Sequence, residues 1–428
     1  MNSKAKNILA GKSLCRFSVA LALIAGPAAA QAEGFRNATI GTSDLGYSGG
    51  RIAQVDDATA VQNNPANLMS VTNAQLMLSP SIIYINVNYK SAVGDQSAST
   101  IHPWKFLPNF FAAVPLLQDR LVAGIGVTVP FGLANQWKSS SSSFRQPTGY
   151  LAYTAPNYSQ LLTINVNPSL AYKITDSIRV GAGLDVMWSD IEFSQFLPSS
   201  VPPAPPALPN LSAHITGAGV GVGGNLGISW LITSNQTLAL TYRSTMTVDY
   251  SGTAGFYNYP GTPSTSFHSQ IKYPNIIGAG YGIKLTDTVS LGTDFEWLQF
   301  SQFKNLPINV GANNLGVPSQ NIAENWHNTF TAGIGAAWKF ADHWVLRGGY
   351  EYFESPVPDS TLSPTIPDAN QNVFTIGLGW KSGHHSLEAS YGQDFYEDRN
   401  ITHDNIPAYD GKYTFNVHLI SLAYDYSF

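Results

Sequence analysis

From residue 74 to the C-terminus, apolar and polar side chains alternate with a period of two. In 158–173, Leu162, Ile164, Val166, Leu170 and Tyr172 fall on one side, and Thr163, Asn165, Asn167, Ser169 and Lys173 on the other. Successive side chains of a strand point to opposite faces, so such a stretch is a strand with one apolar and one polar face. The pattern recurs in 289–297, 330–340 and 373–381, where Phe374, Ile376, Leu378 and Trp380 oppose Thr375, Gly377, Gly379 and Lys381. It predicts strands near 74–89, 106–115, 120–131, 158–173, 178–193, 212–232, 235–252, 267–284, 288–303, 327–340, 343–354, 371–382, 385–397 and 412–428.

Alternation alone also fits a soluble sandwich or a lipocalin-like barrel. Three features favour a membrane barrel. Many strands run past about ten residues, as a tilted span requires. Trp104, Trp188, Trp230, Trp297 and Trp344 sit near strand ends, where interfacial girdles belong. The connections also alternate in length. They are tight at Leu117-Gln118-Asp119, Thr175-Asp176, Thr233-Ser234, Thr286-Asp287, Ala341-Asp342 and Ser382-Gly383, and long elsewhere. Short turns at one end, long loops at the other and an even strand count make the outer-membrane pattern, with both chain ends periplasmic. Leu422, Tyr424, Tyr426 and Phe428 share one face of the last strand, which closes the sheet and removes an edge that lipid cannot satisfy. The expected fold is all-β, a 14-stranded antiparallel transmembrane β-barrel over 73–428 with a hatch, or plug, in its lumen.

Composition agrees with lipid-facing strands: only 11% of residues are charged and 12% are aromatic. Residues 1–32 read as a secretory signal, with a basic start, an apolar run from Phe17 to Ala30 and the small-residue site Ala30-Gln31-Ala32. No later run is long and apolar enough for a transmembrane helix. Four of the 22 basic residues lie in the signal, which leaves 18 against 27 acidic residues and a net charge of −9. That balance argues against a nucleic-acid partner. Cys15, the single cysteine, leaves with the signal, so no disulfide holds the mature chain.

Between signal and barrel lies 33–72. Its stretch Gly34 to Ser70 is rich in Gly, Asn, Asp and Ser, and reads as neither an amphipathic helix nor a strand. Asn64-Pro65-Ala66 near its end is either a simple turn before the first strand or a hatch anchor. Gly124, Gly126, Pro130, Phe131 and Gly132 crowd the third strand. Proline removes a ladder hydrogen bond and glycine tolerates bulges, so the strand either kinks here or simply ends at Pro130.

Catalytic and cofactor motifs are absent. There is no G-x-S-x-G elbow, P-loop or H-E-x-x-H. Gly217–Gly224 lies inside a strand and opens no helix. His384-His385, and the acidic Asp394, Glu397, Asp398 and Asp404, lack metal-site spacing. No cofactor, metal or catalytic residue is expected. A Ser–His lipase pair involving His327 or His418 is the enzyme alternative. Arg347 is a candidate cation for a ligand headgroup, set against pairing with Glu351 on the same strand face.

Taken in order, several short blocks resemble the FadL family of outer-membrane transporters for long-chain fatty acids and other hydrophobic compounds. They are Gly34-Phe35, Gly46-Tyr47-Ser48-Gly49-Gly50, Asp56-Asp57-Ala58, Asn64-Pro65-Ala66-Asn67-Leu68 and Val129-Pro130-Phe131-Gly132-Leu133. Further blocks are Trp344 to Tyr350, Ser355-Pro356-Val357-Pro358-Asp359, Pro367-Asp368-Ala369-Asn370 and Gly377-Leu378-Gly379. The resemblance implies fourteen strands, an N-terminal hatch in the lumen and an inward kink of the third strand that opens the wall sideways. It implies passive uptake of a hydrophobic small molecule, most of all a long-chain fatty acid, with lateral release into outer-membrane lipid. Gly34, Phe35 and Asn64-Pro65-Ala66 would belong to the gate, with the hatch anchor meeting the kink, in a monomer. Aromatic-hydrocarbon uptake on the same fold, a non-specific porin and an outer-membrane lipase are the alternatives.

Overall fold

A computed structural model describes residues 33–37, 40–117, 119–198, 211–256, 264–312 and 319–428. The signal reading of 1–32 and most of the proline-rich stretch after Leu197 lie outside the described residues.

Each span keeps the alternation of the sequence, with the apolar side outward. In the fourth span, Tyr158–Lys173, Leu170 is 53% exposed while Asn165 and Asn167 are wholly buried. Exposed leucine over buried asparagine is the inverse of a water-soluble core, and lipid outside a polar lumen is the solvent pair that makes it favourable.

Fourteen antiparallel spans close into a barrel. The first is Gln75–Leu78 continued by Ser81–Ser91, and the last is Gly411–Ser427. These two pair from Gln75 opposite Ser427 up to Ser91 opposite Gly411, so the sheet has no seam. Between them follow Trp104–Leu107 with Phe110–Leu117 (second), Leu121–Thr128 with Gly132–Trp137 (third), and then Tyr158–Lys173, Ile178–Leu197 and Leu211–Thr233. The seventh is Gln236–Arg243 with Met246–Phe256, and the eighth is Thr265–Tyr273 with Ile276–Lys284. Val289–Leu298, Thr329–Ala341, Trp344–Phe353, Gln371–Ser382 and His385–Tyr396 complete the set.

Five of the spans are interrupted, where the alternation predicted continuous strands. Pro80, Pro108, Pro130 and Pro274 lie in four of the interruptions, and each lacks the amide that a continuous ladder would use. The ninth span stops at Leu298, short of the expected 303, because a 3₁₀ turn over Phe300–Gln302 follows. Ser97–Ile101, Asn305–Val310, Gln320–Ala323 and Arg399–Ile401 are short strands in the long connections that alternation did not reveal.

Residues 33–37 and 40–71 lie inside the barrel and are mostly buried. They are more ordered than their composition suggests, with helical turns at Thr42–Tyr47, Arg51–Gln54 and Ala60–Asn63 and a 3₁₀ turn at Pro65–Ser70. Turns of four to six residues are too short to show a helical period, and isolated ones are unstable. Contacts with the wall hold them.

Ile376, at the middle of the twelfth span, is 54% exposed on the lipid side. Ile376→Arg should lower stability by about 2–4 kcal/mol in a bilayer. Chemical denaturation in vesicles measures this, and an unchanged midpoint would remove Ile376 from the lipid face.

Candidate functional site

The third span supplies the geometry from which the site follows. Its lower half pairs with both neighbours, from Leu121 up to Thr128. Val129, Pro130 and Phe131 then leave the ladder, and Gly132–Trp137 resumes against the fourth span. Its other side pairs only with Thr100 and Ile101 near the top. Among the described residues, the upper piece of the second span, Trp104–Leu107, pairs with the first span alone. A gap in the wall therefore stands between 104–107 and the break.

The bare edge of the break is covered from within. Asn37 N–H donates to Pro130 O at 2.8 Å, and Gly132 N–H donates to Phe35 O at 2.7 Å. The Asn37 side-chain amide donates to Val129 O at 2.8 Å. On the opposite side, Phe131 N–H is met by Thr163 Oγ1 at 3.1 Å. Residues 35–37 thus act as a strand fragment completing the wall.

That fragment carries Phe35, which is 1% exposed. Five rings surround it: Phe131, Tyr273, Phe300, Phe303 and Trp326, with centroids 5.0 to 6.0 Å away. Four of these pairs are edge-on, the arrangement that ring quadrupoles favour. The 3₁₀ turn after the ninth span brings in Phe300 and Phe303. Gly34, at φ +74, makes the approach possible, because any Cβ there would collide with the Trp326 ring.

Ion pairs hold the segment to the wall. Arg36 bonds Glu33 at 2.9 Å and Glu296 at 2.7 Å. Arg51 bonds Glu351 at 2.5 Å, and its backbone N–H donates to Asp294 at 2.6 Å. Glu33 accepts from Thr329 and Thr331, and Gly34 N–H donates to Asp368. Arg243 bonds Asp185 and donates to Gln62 O at 2.9 Å. Buried charges with several partners each are strong only as intact sets.

The residues singled out in the sequence fall into distinct places. Pro130, Phe131 and Gly132 are the break itself. Gly124 and Gly126 are not part of the kink: both stand in intact ladder below it. They receive the plug instead, since a Cβ on Gly124 would lie 2.6 Å from Val61 and 3.0 Å from Leu68. Asn64-Pro65-Ala66 does not bond to the kink. The Asn64 amide donates to Ile52 O and Ser229 Oγ, its carbonyl caps Ala66 N–H, and Pro65 packs on Gly181 and Gly227 of the fifth and sixth spans. Asn followed by Pro starts the 3₁₀ turn by the usual capping chemistry. Its link to the break is indirect: Pro65 lines a cavity of about 50 Å³ together with Pro130 and Phe131. Phe35 and Asn37 make the direct contact, and only the ordered motif at Gly34-Phe35 hinted at it.

Arg347 pairs with Glu388 at 3.0 Å rather than with Glu351, which Arg51 and Ser48 occupy. It lines a cavity of about 610 Å³ between the plug and the short turns, alongside Asp56, Asp57, Lys381 and Asp425. Charged side chains thus line the space below the plug, and aromatic ones surround Phe35 at the break. His418 bonds Tyr391, and His327 bonds the carbonyl of Asn328. Ser194 and Glu192 flank His214, but all three belong to the continuous ladder of the fifth and sixth spans.

A family model described as outer membrane protein transport protein (OMPP1/FadL/TodX) matches residues 21–428. The chain is 25% identical over 394 residues to a long-chain fatty acid transport protein of Salmonella typhi, covering 85% of this chain and 86% of the relative. It is similar in fold to a Pseudomonas aeruginosa FadL homologue, with TM-score 0.77 at 21% identity, covering 92% of this chain and all of that one. It is also similar in fold to the Ralstonia pickettii toluene transporter TbuX, with TM-score 0.70 at 19% identity over 92% and 99% of the two chains.

Two expectations follow from these contacts. Gly124→Val should push Val61 and Leu68 away and loosen the plug without breaking the ladder, read as increased ligand-free conductance in planar bilayers. Unchanged conductance in a correctly folded variant would separate Gly124 from the plug. The second concerns pH. Burial, with Asp57 adding to it, pushes the Asp44 carboxyl up to about 8, and burial pushes Glu33 up to about 7 against the pull of Arg36. Both values lie above the unfolded ones, so the folded plug binds more protons between about pH 4 and 8. The stability this contributes is full below that window and falls as pH rises through it. Amide exchange in the plug, corrected for its intrinsic pH dependence, should accelerate across that range, and less so in Asp44→Asn. Equal profiles for the two proteins would exclude Asp44.

Proposed function

The chain belongs to the OMPP1/FadL/TodX family of outer membrane transport proteins, and on that premise we propose that it takes up hydrophobic small molecules, long-chain fatty acids first, through a gate formed by Phe35 and the third-span break. The observation that carries this reading is a single side chain doing two things. Phe35 fills the aromatic cage, and its own backbone covers the bare edge of the wall. Whatever evicts the ring also uncovers the edge.

The sequence of events follows from affinity. A ligand from outside enters the upper lumen and competes with Phe35 for the cage. The tethered ring has a high effective concentration, so a competitor must bury more surface than it does. A Phe side chain is worth about 1.5–3 kcal/mol and each methylene about 0.8 kcal/mol. A chain of more than about four methylenes therefore wins, and a long acyl chain wins comfortably. Once 35–37 leaves, the gap beside Trp104–Leu107 leads into lipid. The route below is lined by Asp56, Asp57, Arg347 and Lys381, which offers an alkyl chain nothing. Sideways exit follows from that contrast. A second reading, uptake of monoaromatic hydrocarbons, rests on the cage alone, because the space that fits a Phe ring also fits toluene.

Phe35→Ala removes the competitor while leaving the backbone bonds of 35–37 available. Fatty-acid affinity of the purified protein should rise severalfold, measured by displacement of a fluorescent fatty acid, and cellular uptake should not fall. A drop in affinity with the barrel intact would mean that Phe35 belongs to the bound site rather than competing for it.

A further inference from the structure

Four cations are buried among the described residues: Arg36, Arg51, Lys105 and Arg243. Three of them are ion-paired, to Glu33 and Glu296, to Glu351, and to Asp185. Lys105 is 4% exposed and has no hydrogen-bond or ion-pair partner among the described residues. We propose that Lys105 is the headgroup anchor for a ligand carrying one carboxylate on a long alkyl chain, an inference that rests on the transport reading above.

Its ladder partner and its lumen-facing strand neighbour are apolar. In Trp104–Leu107 the outward residues are Trp104 and Phe106, while Lys105 and Leu107 face the lumen. Lys105 stands directly across the ladder from Ile83. Ile83 and Leu107 belong to the same continuous apolar cluster as Phe35 and Phe131. An ammonium with no anionic partner there is less favourable than a methionine of similar length, while its tip stays open to the lumen where a ligand can reach it. Residues that lower stability in this way sit where function requires them. A carboxylate removes the penalty, because each charge then satisfies the other. One ammonium balances one carboxylate, whereas a doubly charged phosphomonoester would leave a charge uncovered.

The position suits the exit as well as the capture. Lys105 lies on the piece of the second span that, among the described residues, has no partner on the side of the break, so it stands at the rim of the wall gap. A headgroup held there leaves the alkyl chain in the apolar cluster, next to the opening through which it departs. The four-carbon stem of lysine is flexible and can follow the headgroup as the chain moves. Arg347, the cation that stood out in the sequence, is tied to Glu388 on the far side of the plug.

The test compares palmitate with its uncharged methyl ester, using the full protein in detergent and calorimetric titration. Wild type should prefer palmitate by about tenfold to a hundredfold. Lys105→Met should lose that preference while binding the ester within about twofold of wild type. Lys105→Arg should keep most of the preference, and ligand-free Lys105→Met should melt no lower than wild type. If the Met variant does not insert, Lys105→Gln takes its place in the same comparison. Equal weakening of both ligands, or a wild-type protein that does not distinguish them, would overturn the assignment. Binding of neither ligand to wild type would instead overturn the transport reading on which it depends.

Discussion

Lipid cannot accept or donate a hydrogen bond, and the architecture of this protein follows from that constraint. A sheet in a membrane must close on itself, so the first and last spans join along their whole length. A break in the wall is then a liability unless other polar groups cover it. Here the cover is Phe35–Asn37, bonded to Val129, Pro130 and Gly132. The cover belongs to the plug and not to the barrel, and the proposed gate rests on that difference.

A cover that opens, as the proposed uptake requires, needs a hold that is firm but not permanent. Two kinds of contact share that work. Arginines of the plug reach acidic side chains on the ninth and eleventh spans, and these sets stay strong only while complete. The aromatic cage around Phe35 is apolar, and an apolar ligand can replace what it holds. In the proposed uptake, the ionic anchor steadies the plug and the aromatic one yields to the ligand. The charged lining of the cavity beneath the plug disfavours an alkyl chain, which is why the proposal sends it sideways.

Much of this was legible in the chain. Period-two alternation, short turns at Thr175-Asp176 or Thr286-Asp287 and the aromatic last strand are local features, and local rules read them. Pro130 marked the break because proline cannot donate to a ladder wherever it stands. Gly124 and Gly126 misled for an instructive reason. Glycine signals close approach, but it does not say what approaches, and here Val61 and Leu68 arrive from the plug. Asn64-Pro65-Ala66 was visible as a capped turn, while the surface it leans on lies more than a hundred residues away. Lys105 gave no signal at all, because a lysine in an alternating strand reads as one more polar position.

The sequence by itself determined the fourteen alternating spans and the closed barrel and pointed to Pro130, all of which depend on side-chain alternation and backbone chemistry within a few residues; the other interruptions and the short strands of the long connections were not read from it. Only the tertiary structure decided that Phe35 fills the cage, that Arg347 pairs with Glu388 and that Lys105 has no partner among the described residues. Alternation tells which residues face the lumen, but partners inside a lumen come from opposite walls and from the plug. Distance across that space depends on barrel closure and on how the plug folds, and neither is written in any short stretch of chain.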